Sequence, residues 1–376
     1  MGEATQFLQV DGEFPMRRGG ELARPVIAFE TWGTLNAQRD NAVLIFTGLS
    51  PSSHATSCPE DRSPGWWEEM VGPSRPIDTR RFFVICVNSL GSCFGSTGPA
   101  SIDPRTGELY RCRFPVLTLE DVASAGKAVV DHLSITSLYA LVGPSMGGMT
   151  ALAFAAQFPH LSRSLVLIST AARSLPFAIA MRSLQREMIR KDRAWRGGVY
   201  ARDAGPIAGM RLARKLGMIT YRSAQEWDQR FGRERLFGER KTGDSFAPDF
   251  EVEAYLEHHA LKFTGQFDAN CYLYLSRASD LFDLAEHGGS VERALERVQA
   301  DRVLVIGVET DFLFPIRQQR ELAASFEAAG KPVSLVELPS IQGHDSFLVD
   351  MDRFRPVISS FIAGDWQAVS SRASSR

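Results

Sequence analysis

The chain has no uninterrupted apolar stretch of the ~20 residues that a helix needs to cross a bilayer. Its start, MGEATQFLQVDGEFPM, lacks the basic and then apolar regions of a secretory signal. A large excess of either charge is also missing. With 42 basic and 44 acidic residues the formal charge is -2, which removes the electrostatic case for nucleic acid or an anionic membrane surface as partner. Cysteine is sparse: Cys58, Cys86, Cys93, Cys112 and Cys271 are odd in number, scattered, and never spaced Cys-x-x-Cys. Neither a disulfide framework nor a cysteine metal site is expected, and reduced thiols are the simplest account. No internal repeat is visible. These absences together predict a soluble cytoplasmic protein that handles small molecules.

What is present is an ordinary globular composition, 44% hydrophobic and 23% charged, in 376 residues. That is enough for one large core and an insertion. Short apolar, β-branched runs at 25–31, 42–47, 82–87, 138–142 and 164–168 alternate with helical patterns, which predicts a mostly parallel sheet flanked by helices. Residues 119–133 have helical spacing, and Thr118 with Asp121 forms a capping-box pattern. From 176 to 298 strand-like runs vanish and amphipathic helical stretches such as 211–216 and 267–284 take over. Strand patterns resume at 302–307 and 333–338, with helices near 317–329 and 347–362. The reading is one core, 1–175 and 299–365, interrupted by a helical lid over 176–298 and followed by a flexible polar tail over 366–376.

Within this pattern, Gly143-Pro144-Ser145-Met146-Gly147 lies between a strand and an Ala-rich helix. That context turns a Gly-x-Ser-x-Gly match into the nucleophile elbow of the α/β-hydrolase fold. Small residues two positions to either side let backbones close around a sharply turned serine. The turn sets the serine at a helix N-terminus, where the Met146 N–H is available to a developing oxyanion. A serine hydroxyl needs a base and a group to orient that base. Of the seven histidines, His54, His132, His160, His258, His259 and His287 precede the last strands, whereas His344 follows the strand at 333–338. The acid should follow the strand before it. Asp311, in an Asp-x-x-x-Pro setting, is the first choice, and Glu309 is the competitor. The chain order Ser145, Asp311, His344 is the one expected of this fold.

Beyond the triad, the chain resembles the homoserine O-acetyltransferase family from about residue 27 to residue 362. The segments that carry the resemblance are Gly65-Trp66-Trp67, Asp78-Thr79-Arg80-Arg81-Phe82-Phe83-Val84-Ile85, Gly95-Ser96-Thr97-Gly98-Pro99, Ser145-Met146-Gly147-Gly148-Met149, Phe267-Asp268-Ala269-Asn270 and Gly343-His344-Asp345-Ser346-Phe347-Leu348. The resemblance implies an acyl-CoA co-substrate, an acyl-serine intermediate, an amino-acid hydroxyl as acceptor, no metal or bound cofactor, and a homodimer formed through the lid. It also implies that the Leu49 N–H is the second oxyanion donor. By the same resemblance, Arg214 binds the acceptor's carboxylate and Asp345 its ammonium, which suits the chemistry of an amino acid.

Two departures point inside the family. Its acetyltransferases read His-Ala-Leu-Thr-Gly beside the oxyanion hole, where this chain reads Thr47-Gly48-Leu49-Ser50-Pro51-Ser52-Ser53-His54. This resembles the subgroup that succinylates L-serine, with Ser50, Pro51, Ser52 and Ser53 beside the acceptor. Arg182, with Arg186 one turn on, replaces an uncharged polar residue. A succinyl group ends in a carboxylate whose burial without a cation would cost several kcal/mol, so the two arginines are expected to govern acyl-donor choice. The expected activity is L-serine O-succinylation feeding cysteine biosynthesis. Homoserine acetylation or succinylation is the alternative, and an esterase-type hydrolase and a non-catalytic binding protein are the rivals from other classes.

Overall fold

The alternating apolar runs become one eight-stranded sheet in the computed structural model, which describes residues 2–201, 204–236 and 245–364. In chain order its strands are β1 (Gln6–Gln9), β2 (Val26–Trp32), β3 (Ala42–Phe46), β4 (Phe83–Val87), β5 (Leu138–Pro144), β6 (Ser164–Ile168), β7 (Arg302–Val308) and β8 (Val333–Leu338). Their order across the sheet is β1-β2-β4-β3-β5-β6-β7-β8. The pairs β1·β2 and β2·β4 are antiparallel, and every later pair is parallel. Strand β1, four mostly exposed residues with only Phe7 and Leu8 apolar, is too short to stand out in the sequence. The expected tail over 366–376 lies outside the described residues.

All residues of β3 and β6 are buried, as befits strands covered on both faces. Successive side chains point to opposite faces. Leu44 and Phe46 accordingly join one apolar cluster, with Val122, Val129 and Phe154 of α1 (Leu119–His132) and α2 (Met146–Gln157). Val43 and Ile45 join the other, with Trp67 and with Phe354, Ile358 and Phe361 from a helix late in the chain. Thr118 and Asp121 close the capping box at the start of α1: the Thr118 hydroxyl accepts from the Asp121 N–H at 3.3 Å, and the Asp121 carboxylate accepts from the Thr118 N–H at 2.8 Å.

Between β6 and β7 the described chain adds no strand to the sheet. It forms α3 (Pro176–Lys191), α4 (Ile207–Tyr221), α5 (Ala224–Phe231), α6 (Glu251–Phe263) and α7 (Ala269–Leu281), with α3 packed on α4 and α7, and α4 on α6. After β7 comes α8 (Ile316–Ala328). The single helix expected over 347–362 is instead two, Ser346–Val349 and α9 (Met351–Ala363), broken at Asp350. At the break, the Phe347 carbonyl accepts the Trp67 indole N–H at 2.9 Å. No described helix is long and apolar enough to cross a membrane.

Because β3, β5, β7 and β8 run parallel, the loops leaving their C-terminal ends share one edge of the sheet, the edge where such folds place ligands. The first turn of α2 reaches the end of β3 because residue 147 has no side chain. A Cβ there would sit 2.2 Å from the Phe46 carbonyl oxygen. Gly147→Ala should therefore cost about 1–3 kcal/mol in urea unfolding and lower turnover by shifting Ser145. An unchanged unfolding midpoint would show that this contact does not limit the approach.

Candidate active site

The edge defined by β3, β5, β7 and β8 brings Ser145, Asp311 and His344 together. Ser145 follows β5 with φ 54 and ψ -124, a conformation that costs a non-glycine residue about 1–3 kcal/mol. Two contacts hold it there: its N–H donates to the Ile168 carbonyl at 2.8 Å, and the Thr170 hydroxyl donates to the Ser145 carbonyl at 2.8 Å. A Cβ on Gly143 would lie 2.2 Å from the Gly147 carbonyl oxygen, so the small residues flanking the turn are a steric requirement.

The serine hydroxyl lies 2.8 Å from Nε2 of His344, and Nδ1 of the same ring lies 2.7 Å from Oδ2 of Asp311. An ionised Asp311 only accepts, so Nδ1 carries the proton and Nε2 is left to receive the serine's. The other Asp311 oxygen accepts the N–H groups of Leu313 and Phe314, both at 2.9 Å. Glu309, the competing acid, is exposed at the strand end. The two loops are joined by Thr310, which the sequence reading missed. Its hydroxyl donates to the Ser340 carbonyl at 2.7 Å and accepts from the Gly343 N–H at 3.1 Å. Phe314 stacks on the His344 ring at 5.2 Å, and Phe347 meets it edge-on at 5.7 Å. Burial pulls the imidazole pKa down, but the Asp311 carboxylate outweighs it, and the net displacement is upward.

A narrow cavity stands over Ser145, walled by Leu49, Met146 and Phe314 from the core and by Arg182, Gln185 and Tyr221 from the helices. Met146 is the first residue of α2, so its N–H has no acceptor within the helix. No described hydrogen bond occupies the Leu49 N–H.

Arg214 packs over the Phe263 ring at 4.5 Å and near Tyr221 at 5.9 Å, and no described carboxylate forms an ion pair with it. Its Nε is buried and unpartnered. Asp345 has a cationic neighbour that the sequence did not mark: Arg222 Nε lies 3.4 Å from its carboxylate. Burial raises the Asp345 pKa against the pull of Arg222, His344 and Arg214. Arg182 reaches the cavity wall, whereas Arg186 is not part of that wall and turns to Asp280, a residue the sequence did not mark. Of the four residues after Leu49, Ser50 and Pro51 are half-buried. Ser52 is engaged by its own segment: its hydroxyl accepts from the His54 N–H at 3.2 Å and its carbonyl from the Trp66 indole at 3.1 Å. The Ser53 side chain is buried, with its hydroxyl 3.3 Å from Glu30.

Comparison with known proteins gives the family. Residues 41–350 match the family described as alpha/beta hydrolase fold. A serine O-succinyltransferase of Litchfieldella anticariensis is 56% identical, with 96% of this chain and 99% of that protein covered. An L-serine/homoserine O-acetyltransferase of Streptomyces lavendulae is 55% identical, covering 96% of this chain and 97% of that protein. Among solved structures, homoserine O-acetyltransferase from Bacillus anthracis superposes with TM-score 0.88 at 29% identity, over 95% of this chain and 97% of that one.

Asp311→Asn should lower kcat on the order of 10⁴-fold, because Asn offers no charge to fix the ring tautomer or stabilise the imidazolium. The sign of the pH effect follows from the raised His344 pKa. The neutral ring is the active form, so kcat/KM should fall with acidity below a midpoint higher than that of free imidazole. In Asp311→Asn the midpoint should move to lower pH. A wild-type profile in that variant would contradict the assigned contact.

Proposed function

The chain belongs to the homoserine O-acetyltransferase family of the α/β-hydrolase fold, and we propose that it transfers a succinyl group from succinyl-CoA to the hydroxyl of L-serine. The observation that carries acyl transfer is the line from Ser145 Oγ through His344 to Asp311, with contacts of 2.8 and 2.7 Å, opening into a walled cavity.

The cycle is two displacements. Ser145 attacks the thioester carbonyl as its proton passes to His344 Nε2. The N–H groups of Leu49 and Met146 receive the oxyanion, where one such donor is commonly worth ~3 kcal/mol. Collapse releases CoA with the proton from His344 and leaves a succinyl ester on Ser145. The hydroxyl of L-serine then gives its proton to His344 and attacks that ester. The second collapse frees O-succinyl-L-serine and returns the proton to Ser145.

Arg214, with no described carboxylate partner, suits the acceptor's carboxylate, and Asp345 suits its ammonium. The helical segment 176–298 serves as the lid that keeps water from the acyl-enzyme. Arg182, on the cavity wall, meets the succinyl carboxylate. The 55% identical acetyltransferase shows that overall likeness does not choose the donor, so the choice rests on such local residues. Homodimerisation through the lid is supported by Leu212 and Ile219 on α4 and Leu261 on α6, all exposed.

The deciding experiment follows thiol release from succinyl-CoA and acetyl-CoA, each with L-serine, L-homoserine or no acceptor, and weighs the products. Succinyl-CoA with L-serine should give the highest kcat/KM and O-succinylserine, and Ser145→Ala should abolish release. Preference for homoserine would overturn the acceptor, and acceptor-independent release would make the protein a hydrolase. Arg182→Ala should lower the preference for succinyl-CoA over acetyl-CoA on the order of tenfold or more, as expected for one lost charged hydrogen bond.

A further inference from the structure

Asp280, near the end of α7, is a buried acid outside the catalytic triad, with 2% of its side chain exposed. Its Oδ1 accepts from Arg182 Nε at 2.6 Å, and its Oδ2 lies 2.6 Å from Arg186 Nη2. Both arginines project from α3 one turn apart, so they share a face of that helix. Serine hydroxyls fix the remaining edges. Arg182 Nη2 donates to Ser174 at 2.6 Å, the Ser174 hydroxyl donates to the Ser279 carbonyl at 2.6 Å, and Arg186 Nη1 donates to Ser276 at 2.8 Å. Nη1 of Arg182 has no protein acceptor among the described hydrogen bonds, and Asp280 Oδ2 meets Arg186 as an ion pair without hydrogen-bond geometry.

Two guanidinium groups and one carboxylate leave one positive charge, and neither arginine pairs with any other described acid. Leaving a net charge inside a protein is unfavourable unless something of opposite sign meets it. The cluster's contact with the cavity is Arg182, so the missing negative charge would come from a ligand there. The three members have separable effects. Asp280 alone with Arg182 would form a neutral pair with no net attraction for an anionic acyl terminus. Arg186, behind the wall, restores one positive charge while Asp280 still fixes the orientation of Arg182.

We propose that Asp280 is a positioning residue for donor selectivity, holding Arg182 and Arg186 as one rigid monocation that accepts an acyl chain ending in a carboxylate. This rests on the reading that Arg182 meets the succinyl group.

The test compares kcat/KM for succinyl-CoA and acetyl-CoA, with L-serine as acceptor, in Asp280→Asn, Asp280→Glu and Arg182→Ala, with unfolding midpoints in parallel. An asparagine turns its NH₂ toward one guanidinium and leaves two buried cations without a counter-charge. Asp280→Asn should therefore lower the succinyl-to-acetyl ratio at least tenfold, chiefly through KM for succinyl-CoA, with acetyl-CoA kcat/KM within about threefold of wild type. Asp280→Glu should recover part of the ratio. Equal losses with both donors, or an unchanged ratio in a folded Asp280→Asn protein, would overturn the proposal. Should Asp280→Asn not fold, Asp280→Glu decides alone, and a wild-type ratio there overturns it. A ratio lowered in Arg182→Ala but intact in Asp280→Asn refutes the role of Asp280 only. A ratio intact in Arg182→Ala refutes the reading of Arg182 beneath it.

Discussion

The strained turn at Ser145 is the constraint on which the rest of the site depends. A serine at φ 54 and ψ -124 is not stable on its own account, and it persists because the structure around it leaves no alternative. β6 supplies the Ile168 carbonyl, Thr170 clasps the Ser145 carbonyl, and glycines at 143 and 147 allow backbone contacts that any Cβ would block. The strain has a direct product. It sets the hydroxyl above the sheet edge, 2.8 Å from His344, with the first N–H of α2 beside it.

A second layer fixes the partner. His344 must stay neutral at Nε2, close to Ser145 and upright, and each demand has its own residue. Asp311 sets the tautomer, Phe314 and Phe347 confine the ring, and Thr310 ties the loop of the acid to the loop of the base. The loop of the base also touches the helical segment. A Cβ on Gly343, where φ is 67, would sit 2.8 Å from the Ser223 N, so α4 and α5 meet directly behind the catalytic histidine. The one charged side chain among the described residues of the cavity wall, Arg182, comes from that helical segment, while Ser145 and Met146 form the floor from the sheet side.

The core was legible because its signals are local. Apolar runs with period 2 or 3.6, the Thr118–Asp121 cap and the Gly-x-Ser-x-Gly turn each occupy a few neighbouring residues, and each maps to the element it predicts. The exceptions were different. Strand β1 is only four residues long and mostly exposed, so it left no pattern, and the helix over 347–362 is broken at Asp350, beside a carbonyl that accepts from Trp67, far away in sequence. Of the site residues, Ser145, Asp311 and His344 were readable from motif and chain order. Asp280, Arg222 and Thr310 were not, because an isolated charge or hydroxyl carries no mark of what it touches.

The sequence by itself determined the sheet-and-helix alternation, the nucleophile and the order of the triad, since these follow from steric rules that act within a turn or a strand. Only the tertiary structure decided between Asp311 and Glu309, because the choice depends on which carboxylate is buried against His344. It likewise set the Ser53 hydroxyl beside Glu30, and joined Arg182 and Arg186 through an acid about a hundred residues away. Charge pairing acts through space at a few ångströms, and residues that distant in the chain have no relation to one another until the fold closes.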